Sequence, residues 1–172
     1  VTNMSSMFSS CVGLEKLDVT SFNTSKVTAM NDMFYCCTKL TELDVTSFDT
    51  SNVTNMSKMF NRCRIVQALD VTKFNTSKVT SMATMFYECG KVTKFDVSGF
   101  DTTNVTDMTS MFGACNSLKD LNMTGSFSIN ETTNITTMFT RFDTIKITTS
   151  QEIADLLKDN FNKFTNNNFI IV

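Results

Sequence analysis

The sequence repeats itself every 26 residues, and this period constrains the fold more than any other feature. Five copies begin at Val1, Val27, Val53, Val79 and Val105, the fifth carries a small insertion, and a degenerate sixth fades near Ile135. One copy is too short to bury its own core, so repeats of this length build elongated stacks. We therefore expect five stacked repeats over residues 1–134, then a degenerate last repeat and a C-terminal cap over 135–172.

Apolar residues recur at fixed positions of the repeat and predict two elements in each copy. Five of them follow helical spacing in the first copy: Val1, Met4, Met7, Phe8 and Cys11. Leu17 and Val19 alternate as in a strand, and Leu14 completes the pattern L-x-x-L-x-L of a leucine-rich repeat. The predicted fold is α/β, a leucine-rich-repeat-like right-handed solenoid of rungs that each contain a short helix and a short parallel strand.

Two polar segments predict how the elements end. In each copy a turn such as TSFNTSK follows the strand, and we expect its polar side chains to cap the next helix while its Phe joins the core. Near the C-terminus, Thr149 stands three residues before Glu152, which is the spacing of a capping box. The residues that share one face of this predicted cap helix are Ile153, Leu156, Leu157 and Phe161.

Five of the six cysteines occupy position 11 of the repeat: Cys11, Cys37, Cys63, Cys89 and Cys115. Stacking would space them about 5 Å apart along a column instead of gathering them around one metal ion. We interpret them as buried free thiols. Cys36 lies outside the column and is the one thiol expected to be exposed or reactive. No metal and no cofactor are expected.

Position 18 carries a column of acidic residues: Asp18, Asp44, Asp70 and Asp96, followed by Asn122. Neighbouring carboxylates in such a column repel one another, so something must offset the repulsion. One interpretation is the binding of a cation or a basic partner. The interpretation we favour is bonding to nearby backbone amides or to the hydroxyls at position 20, because no convergent loop with a Gly turn supplies calcium ligands.

Composition argues against two classes of function. The chain has no His, which removes the commonest general base and every Ser-His or Cys-His pair, so we do not expect an enzyme. The formal charge is −2 and the Lys and Arg residues are scattered, so nucleic acid is not an expected partner. The sequence contains no apolar run long enough to span a membrane. The Asn-x-Ser/Thr motifs of the chain arise mostly because the repeat itself contains NVT and NTS, so glycosylation is a minor hypothesis.

Residues that differ between copies predict where a partner binds, because a fixed scaffold with varied exposed positions is how solenoids present a binding face. Unconstrained variation of surface residues explains the same pattern and stays an alternative. The candidate surface consists of Lys16, Asp18, Tyr35, Glu42, Asp44, Arg62, Arg64, Asp70, Tyr87, Lys94, Asp96 and Asp120.

The repeated sequence motif, such as DTSNVTNMSKMF followed by LDVTKF, resembles the repeat of BspA-like leucine-rich-repeat surface proteins. This type of repeat is also found in mycoplasma surface lipoproteins. The likeness covers about residues 1–127. It implies an extracellular or cell-surface protein that mediates adhesion or binds host matrix or cell-surface proteins, with its anchor or export signal outside this segment. It supplies no catalytic residues. The alternative is a structural element that self-assembles by stacking through an uncapped first repeat.

Overall fold

The computed structural model describes residues 1–141 and 144–172, and its regular elements form an α/β arrangement. The strands are β1 (Lys94–Asp96), β2 (Asp120–Asn122), β3 (Lys146–Thr149) and β4 (Phe169–Ile171). One α-helix, α1 (Gln151–Asn160), and one 3₁₀ turn (Asn166–Asn168) lie between β3 and β4. The strands form a single parallel sheet in the order β1-β2-β3-β4.

The sheet keeps the repeat in register past the sequence insertion. Phe95 pairs with Leu121 and Leu121 with Ile147, so the degenerate sixth copy contributes β3 at the expected place. Gly125, near the insertion, has a φ of +70°, and a Cβ atom there would lie 2.4 Å from the carbonyl oxygen of Ser98. Only glycine fits this turn without displacing the backbone of the preceding copy.

A second ladder joins the copies at repeat position 3. Isolated parallel bridges connect each copy with the next in the series Asn3, Ala29, Asn55, Ser81, Asp107 and Asn134. Backbone amides at positions 4, 6, 8 and 10 donate to carbonyls of the next copy; the Phe34 amide, for example, lies 2.9 Å from the Met59 oxygen. Adjacent copies therefore contact one another along their length, which is compatible with the predicted repeat solenoid.

The predicted helix in each repeat is wrong. In copies 1 to 5, positions 5 to 10 form successive turns after the extended bridge at position 3, and α1 is the one α-helix of the described chain. The reason is that positions 6 and 10 adopt positive φ in every copy, for example +58° at Lys58 and +63° at Arg62. Left-handed residues cannot continue a right-handed helix, and the amides between them bond to the neighbouring copy instead.

The core consists of columns of identical residues. Successive Phe side chains at position 8 stack in near-parallel pairs, and the rings of Phe60 and Phe86 have centroids 5.8 Å apart at an angle of 2°. The ring stack runs through Phe8, Phe34, Phe60, Phe86, Phe112 and Phe139. The Met residues at positions 4 and 7 are fully buried in copies 2 to 5. Each copy thus completes the core of its neighbours, as the stacking prediction requires.

The polar turn anchors the core as predicted but caps no helix. Its Phe is buried in the second to fifth copies, at Phe48, Phe74, Phe100 and Phe127. The Thr at position 24 is also buried, and its hydroxyl bonds to the backbone of the next copy, as Thr50 does to Asn75. The turn therefore joins neighbouring copies rather than ending a helix.

The C-terminal helix forms where the sequence predicts it, but its N-cap residue differs. Ser150 is the N-cap and its Oγ accepts a hydrogen bond from the Ile153 amide at 3.4 Å. Thr149 belongs to β3, where it is buried and donates to the Met123 carbonyl, so the predicted Thr149–Glu152 capping box is wrong. Ile153 and Leu157 are buried against the core, as the predicted apolar face requires.

Candidate binding surface

The turns at positions 5 to 13 form one edge of the stack, which we call the turn edge. In copies 2 to 4 its side chains at positions 7, 8 and 11 are buried, and those at positions 10, 12 and 13 are exposed or half-buried. Its backbone is the same in each copy, because the two left-handed positions and the bonds to the next copy recur throughout residues 1–141. Position 10 carries different side chains in the second to fifth copies: Cys36, Arg62, Glu88 and Ala114. Identical backbone therefore presents different chemistry from one copy to the next.

Two arginines and one glutamate meet on the turn edge. Glu88 forms an ion pair with Arg64 at 2.7 Å between Oε2 and Nη2, and Oε2 also accepts from Arg64 Nε at 2.9 Å. Its other oxygen lies 3.5 Å from Nε of Arg62. The Arg side chains are 41% and 53% exposed. One carboxylate thus holds two guanidinium groups in place and leaves part of each facing solvent.

Cys36 lies against this cluster. Its sulfur is 4.0 Å from Nη1 of Arg62 and the residue is half-buried, so the predicted exposure of this thiol is only partial. The contact with Cys36, together with the Glu88 carboxylate, raises the pKa of Arg62 above its ordinary value. Cys36 therefore contacts the Arg62 guanidinium group and is not an isolated thiol.

Two tyrosines flank a buried amide on the same edge. Position 9 carries Tyr35, Asn61 and Tyr87 in successive copies, followed by Gly113. Both tyrosines are half-buried, and Tyr87 lies so close to Gly113 that a Cβ there would be 2.9 Å from its ring. Asn61 is 6% exposed, and its Oδ1 has no hydrogen-bond partner among the described residues.

The strand face, which we define as positions 15 to 18, carries the acidic column. Each carboxylate is fixed by the residue two positions later: Oδ1 of Asp44 accepts from the Thr46 amide at 2.9 Å and from its hydroxyl at 2.6 Å. The same pair of bonds recurs at Asp18, Asp70 and Asp96. The hydroxyl bond, followed by the amide bond, lowers the pKa of Asp44. The bonds that the favoured interpretation requires are thus present at all four Asp residues.

The remaining predicted residues of the strand face are spread along it. The exposed members are Lys16, Asp18, Glu42, Asp44, Asp70, Lys94 and Asp120, while Asp96 is half-buried. In the first copies this segment is not a strand, and only an isolated bridge joins Lys16 to Glu42. Two clefts of about 330 Å³ open between copies here, one lined by Lys16, Asp18, Glu42 and Asp44.

The predicted surface therefore divides into two separate groups. Tyr35, Arg62, Arg64 and Tyr87 lie on the turn edge, whereas the other predicted residues lie on the strand face. The prediction omitted Glu88, which binds both arginines. The sequence alone indicates this contact, because Arg62 and Glu88 both occupy position 10 and become neighbours once adjacent copies stack.

Four thiols of the cysteine column are buried, and their chemistry is that of apolar side chains. Burial raises the pKa of Cys37 to about 11 and that of Cys115 to about 12, so both remain protonated at neutral pH. Burial also raises the pKa of the Cys63 and Cys89 thiols. Within the column, the prediction of buried free thiols is wrong only for Cys11, which is exposed.

Two further observations bear on ligands and membranes. In the described parts of the chain, no group of three or more His, Cys, Asp or Glu side chains could hold a metal ion. No helix over residues 1–141 and 144–172 is both long and apolar enough to cross a membrane.

Comparison with known proteins gives one match. The model of a family described as "Mycoplasma protein of unknown function, DUF285" matches residues 1–43 and 39–151. No curated protein matches the chain. No solved structure matches it either.

Proposed function

The chain belongs to this DUF285 family, and we propose that it is a non-enzymatic cell-surface repeat protein whose turn edge binds a protein partner. In this proposal the stack is a right-handed solenoid of the leucine-rich type, and the partner is a component of the host matrix or a host cell surface. The family's association with Mycoplasma is consistent with the resemblance of the repeat to mycoplasma surface lipoproteins.

One observation carries the proposal: the turn edge keeps its backbone from copy to copy while its side chains change and converge on a single cluster. Arg62 and Arg64 come from one copy, and both form ion pairs with Glu88 of the next copy. Tyr35 and Tyr87 lie in the copies on either side of Asn61. Tyr and Arg are the residues that most often dominate binding energy at protein interfaces.

The chemistry of the side chains supports a binding role over a catalytic one. The chain lacks His, and the thiols in the core are held protonated by burial. The carboxylates of the acidic column already accept two bonds each from their own turns and are kept charged, which suits neither a general acid nor a general base at neutral pH.

Binding to a panel of purified extracellular matrix proteins tests the proposal. The immobilised chain is compared with a turn-edge variant, Tyr35→Ala with Arg62→Ala and Arg64→Ala, and with a strand-face control, Lys94→Ala with Asp120→Ala. We expect a matrix protein to bind the wild type and the control, and to bind the turn-edge variant at least about tenfold more weakly. Thermal unfolding of all three chains checks that they are folded. Equal binding by the two variants would contradict the proposed site.

A second candidate is self-association, in which the copy that begins at Val1 stacks on a copy of another molecule. Val1 is 76% exposed, Val12 is 55% exposed and Met7 is 43% exposed. In a repeat stack such side chains are covered by an adjacent copy, and a second molecule can supply that copy. Sedimentation over a wide range of concentration tests it, because a chain that stays monomeric at the highest concentration cannot assemble through this surface.

A further inference from the structure

The modest net charge of the chain conceals two surfaces of opposite sign. On the turn edge of copies 2 to 4, five basic and two acidic side chains give a net charge of +3: Lys39, Lys58, Arg62, Arg64 and Lys91 against Asp32 and Glu88. On the strand face of copies 1 to 3 the net charge is −4, from Glu15, Asp18, Glu42, Asp44 and Asp70 against Lys16. We call the turn edge of copies 2 to 4 the basic patch. The turn edge of copies 1 and 5 carries no charged residue, so the patch ends at these copies.

From this charge separation we infer that the basic patch of the turn edge binds an extended, acidic segment of a protein, with carboxylates of that segment on Arg62 and Arg64. The inference deepens the proposed function, on which it rests, by stating the chemistry of the partner. Guanidinium groups bind carboxylates through two parallel N–H···O bonds, which makes arginine the side chain best suited to this recognition.

The arginines are already arranged for such a partner. Glu88 accepts a hydrogen bond from Nε of Arg64 and pairs with its Nη2, while Nε of Arg62 lies 3.5 Å from the other carboxylate oxygen as a looser ion pair. Arg62 directs Nη1 toward the sulfur of Cys36, which is a weak acceptor. Because one carboxylate is shared by two guanidinium groups, the cluster keeps a charge of +1 and its side chains lose less freedom when a partner binds.

A protein segment fits this patch better than a sulfated polysaccharide or a nucleic acid. Glu88 and Asp32 interrupt the positive charge, and at about 5 Å per copy the three copies span only a short distance, so a uniformly charged polymer gains few contacts. Tyr35 and Tyr87 add the aromatic contacts that favour a protein partner.

Fluorescence anisotropy with a short labelled peptide of alternating Glu and Gly tests the inference on the folded chain. We expect the peptide to bind and its affinity to fall as salt rises, because exposed charge pairs are screened. The variant Arg62→Gln with Arg64→Gln should weaken binding about tenfold or more. The control Asp44→Asn with Asp70→Asn, on the strand face, should bind at least as well as the wild type.

Four results would overturn the inference. These are equal affinity for a peptide with Lys in place of Glu, tighter binding of a heparin oligosaccharide through the same arginines, unchanged peptide binding by the double Gln variant, and no peptide binding at all. If the peptide fails to bind while a matrix protein still requires the turn edge, the acidic partner is wrong and the proposed function stands. If neither the peptide nor a matrix protein requires the turn edge, both the inference and the proposed function are wrong.

Discussion

Thr50 and Asn75 exchange two hydrogen bonds across neighbouring copies. The Thr50 hydroxyl donates to the Asn75 carbonyl oxygen at 3.0 Å and accepts from the Asn75 amide at 2.8 Å. Thr50 is 1% exposed, so this bridge lies within the apolar stack. Equivalent bridges join Thr24 to Asp49 and Thr102 to Ser128. A single buried hydroxyl thus satisfies two backbone groups of the next copy.

Replacing this hydroxyl by a methyl group should destabilise the stack. We expect Thr50→Val to lower the free energy of unfolding by about 1–3 kcal/mol, because both backbone groups of Asn75 lose their partner. Thr50→Ser keeps the hydroxyl and should cost less. Urea denaturation followed by circular dichroism measures both. Equal losses for the two variants would mean that packing of the methyl group, and not the bridge, holds the turn.

The ring stack predicts that the stability lost on removing a Phe ring depends on the position of that ring in the array. Phe60 is fully buried and stacks on Phe34 at 5.7 Å and on Phe86 at 5.8 Å, so Phe60→Ala should cost about 3–5 kcal/mol. Phe8 is half-buried and has a stacked neighbour on one side only, Phe34. Phe8→Ala should therefore cost distinctly less in the same denaturation experiment. A similar cost at both positions would contradict the view that each ring is stabilised mainly by its neighbours in the stack.

The acidic column predicts a pH dependence with a defined sign. The Thr72 hydroxyl, followed by its amide, lowers the pKa of Asp70 in the folded chain. A lowered folded pKa contributes stability above the unfolded value of about 4, and this contribution is lost as the pH falls through the folded pKa. The difference in stability between the wild type and Thr72→Val should therefore shrink as the pH is lowered below about 4.

A matched control exists for this prediction. Thr54 is also exposed, but its hydroxyl donates to the backbone oxygen of Thr28 and not to a carboxylate. The stability difference caused by Thr54→Val should stay constant with pH in the same thermal or urea unfolding series. If both Thr variants respond to pH alike, the hydroxyl bond to Asp70 is not the cause.

The sequence predicts the stacking of this protein better than the path of its backbone. Position 19 is buried in all five copies and position 17 in copies 2 to 5, as their alternation indicates. The hydroxyls at position 20 bond to the acidic column as expected. Stacking follows from the period, because identical copies can only complete one another's core. The cluster of Arg62, Arg64 and Glu88 could be predicted from charge once the register of the copies was assumed.

The helix prediction failed because the left-handed positions have no signal in the sequence. Position 6 carries Ser6, Asp32, Lys58, Thr84 and Ser110, all with positive φ and none of them glycine. Glycine is the usual mark of such a turn, and without it the apolar spacing of positions 4, 7, 8 and 11 matches a helix. The bonds between copies enforce this conformation, and they cannot be read from one copy alone.

Thr84 is the least favourable of these left-handed residues and the best site for a stabilising change. It is β-branched, has a φ of +53°, and its Oγ1 is buried with no hydrogen-bond partner among the described residues. The left-handed conformation costs a residue with a side chain roughly 1–2 kcal/mol, and glycine avoids most of this cost. The unpaired hydroxyl adds a desolvation cost that glycine also removes.

We therefore expect Thr84→Gly to raise the free energy of unfolding by about 1 kcal/mol, despite the greater freedom of glycine in the unfolded chain. Thr80→Gly, four residues earlier in the same copy, is the control: Thr80 is exposed and is not among the residues with positive φ, and its hydroxyl donates to the Thr54 backbone oxygen. This change should therefore cost about 0.5–1 kcal/mol for the backbone, plus the contribution of that exposed bond. Urea midpoints of the two variants should thus move in opposite directions. A loss of stability in both would show that the bonds to neighbouring copies fully compensate the strain at Thr84.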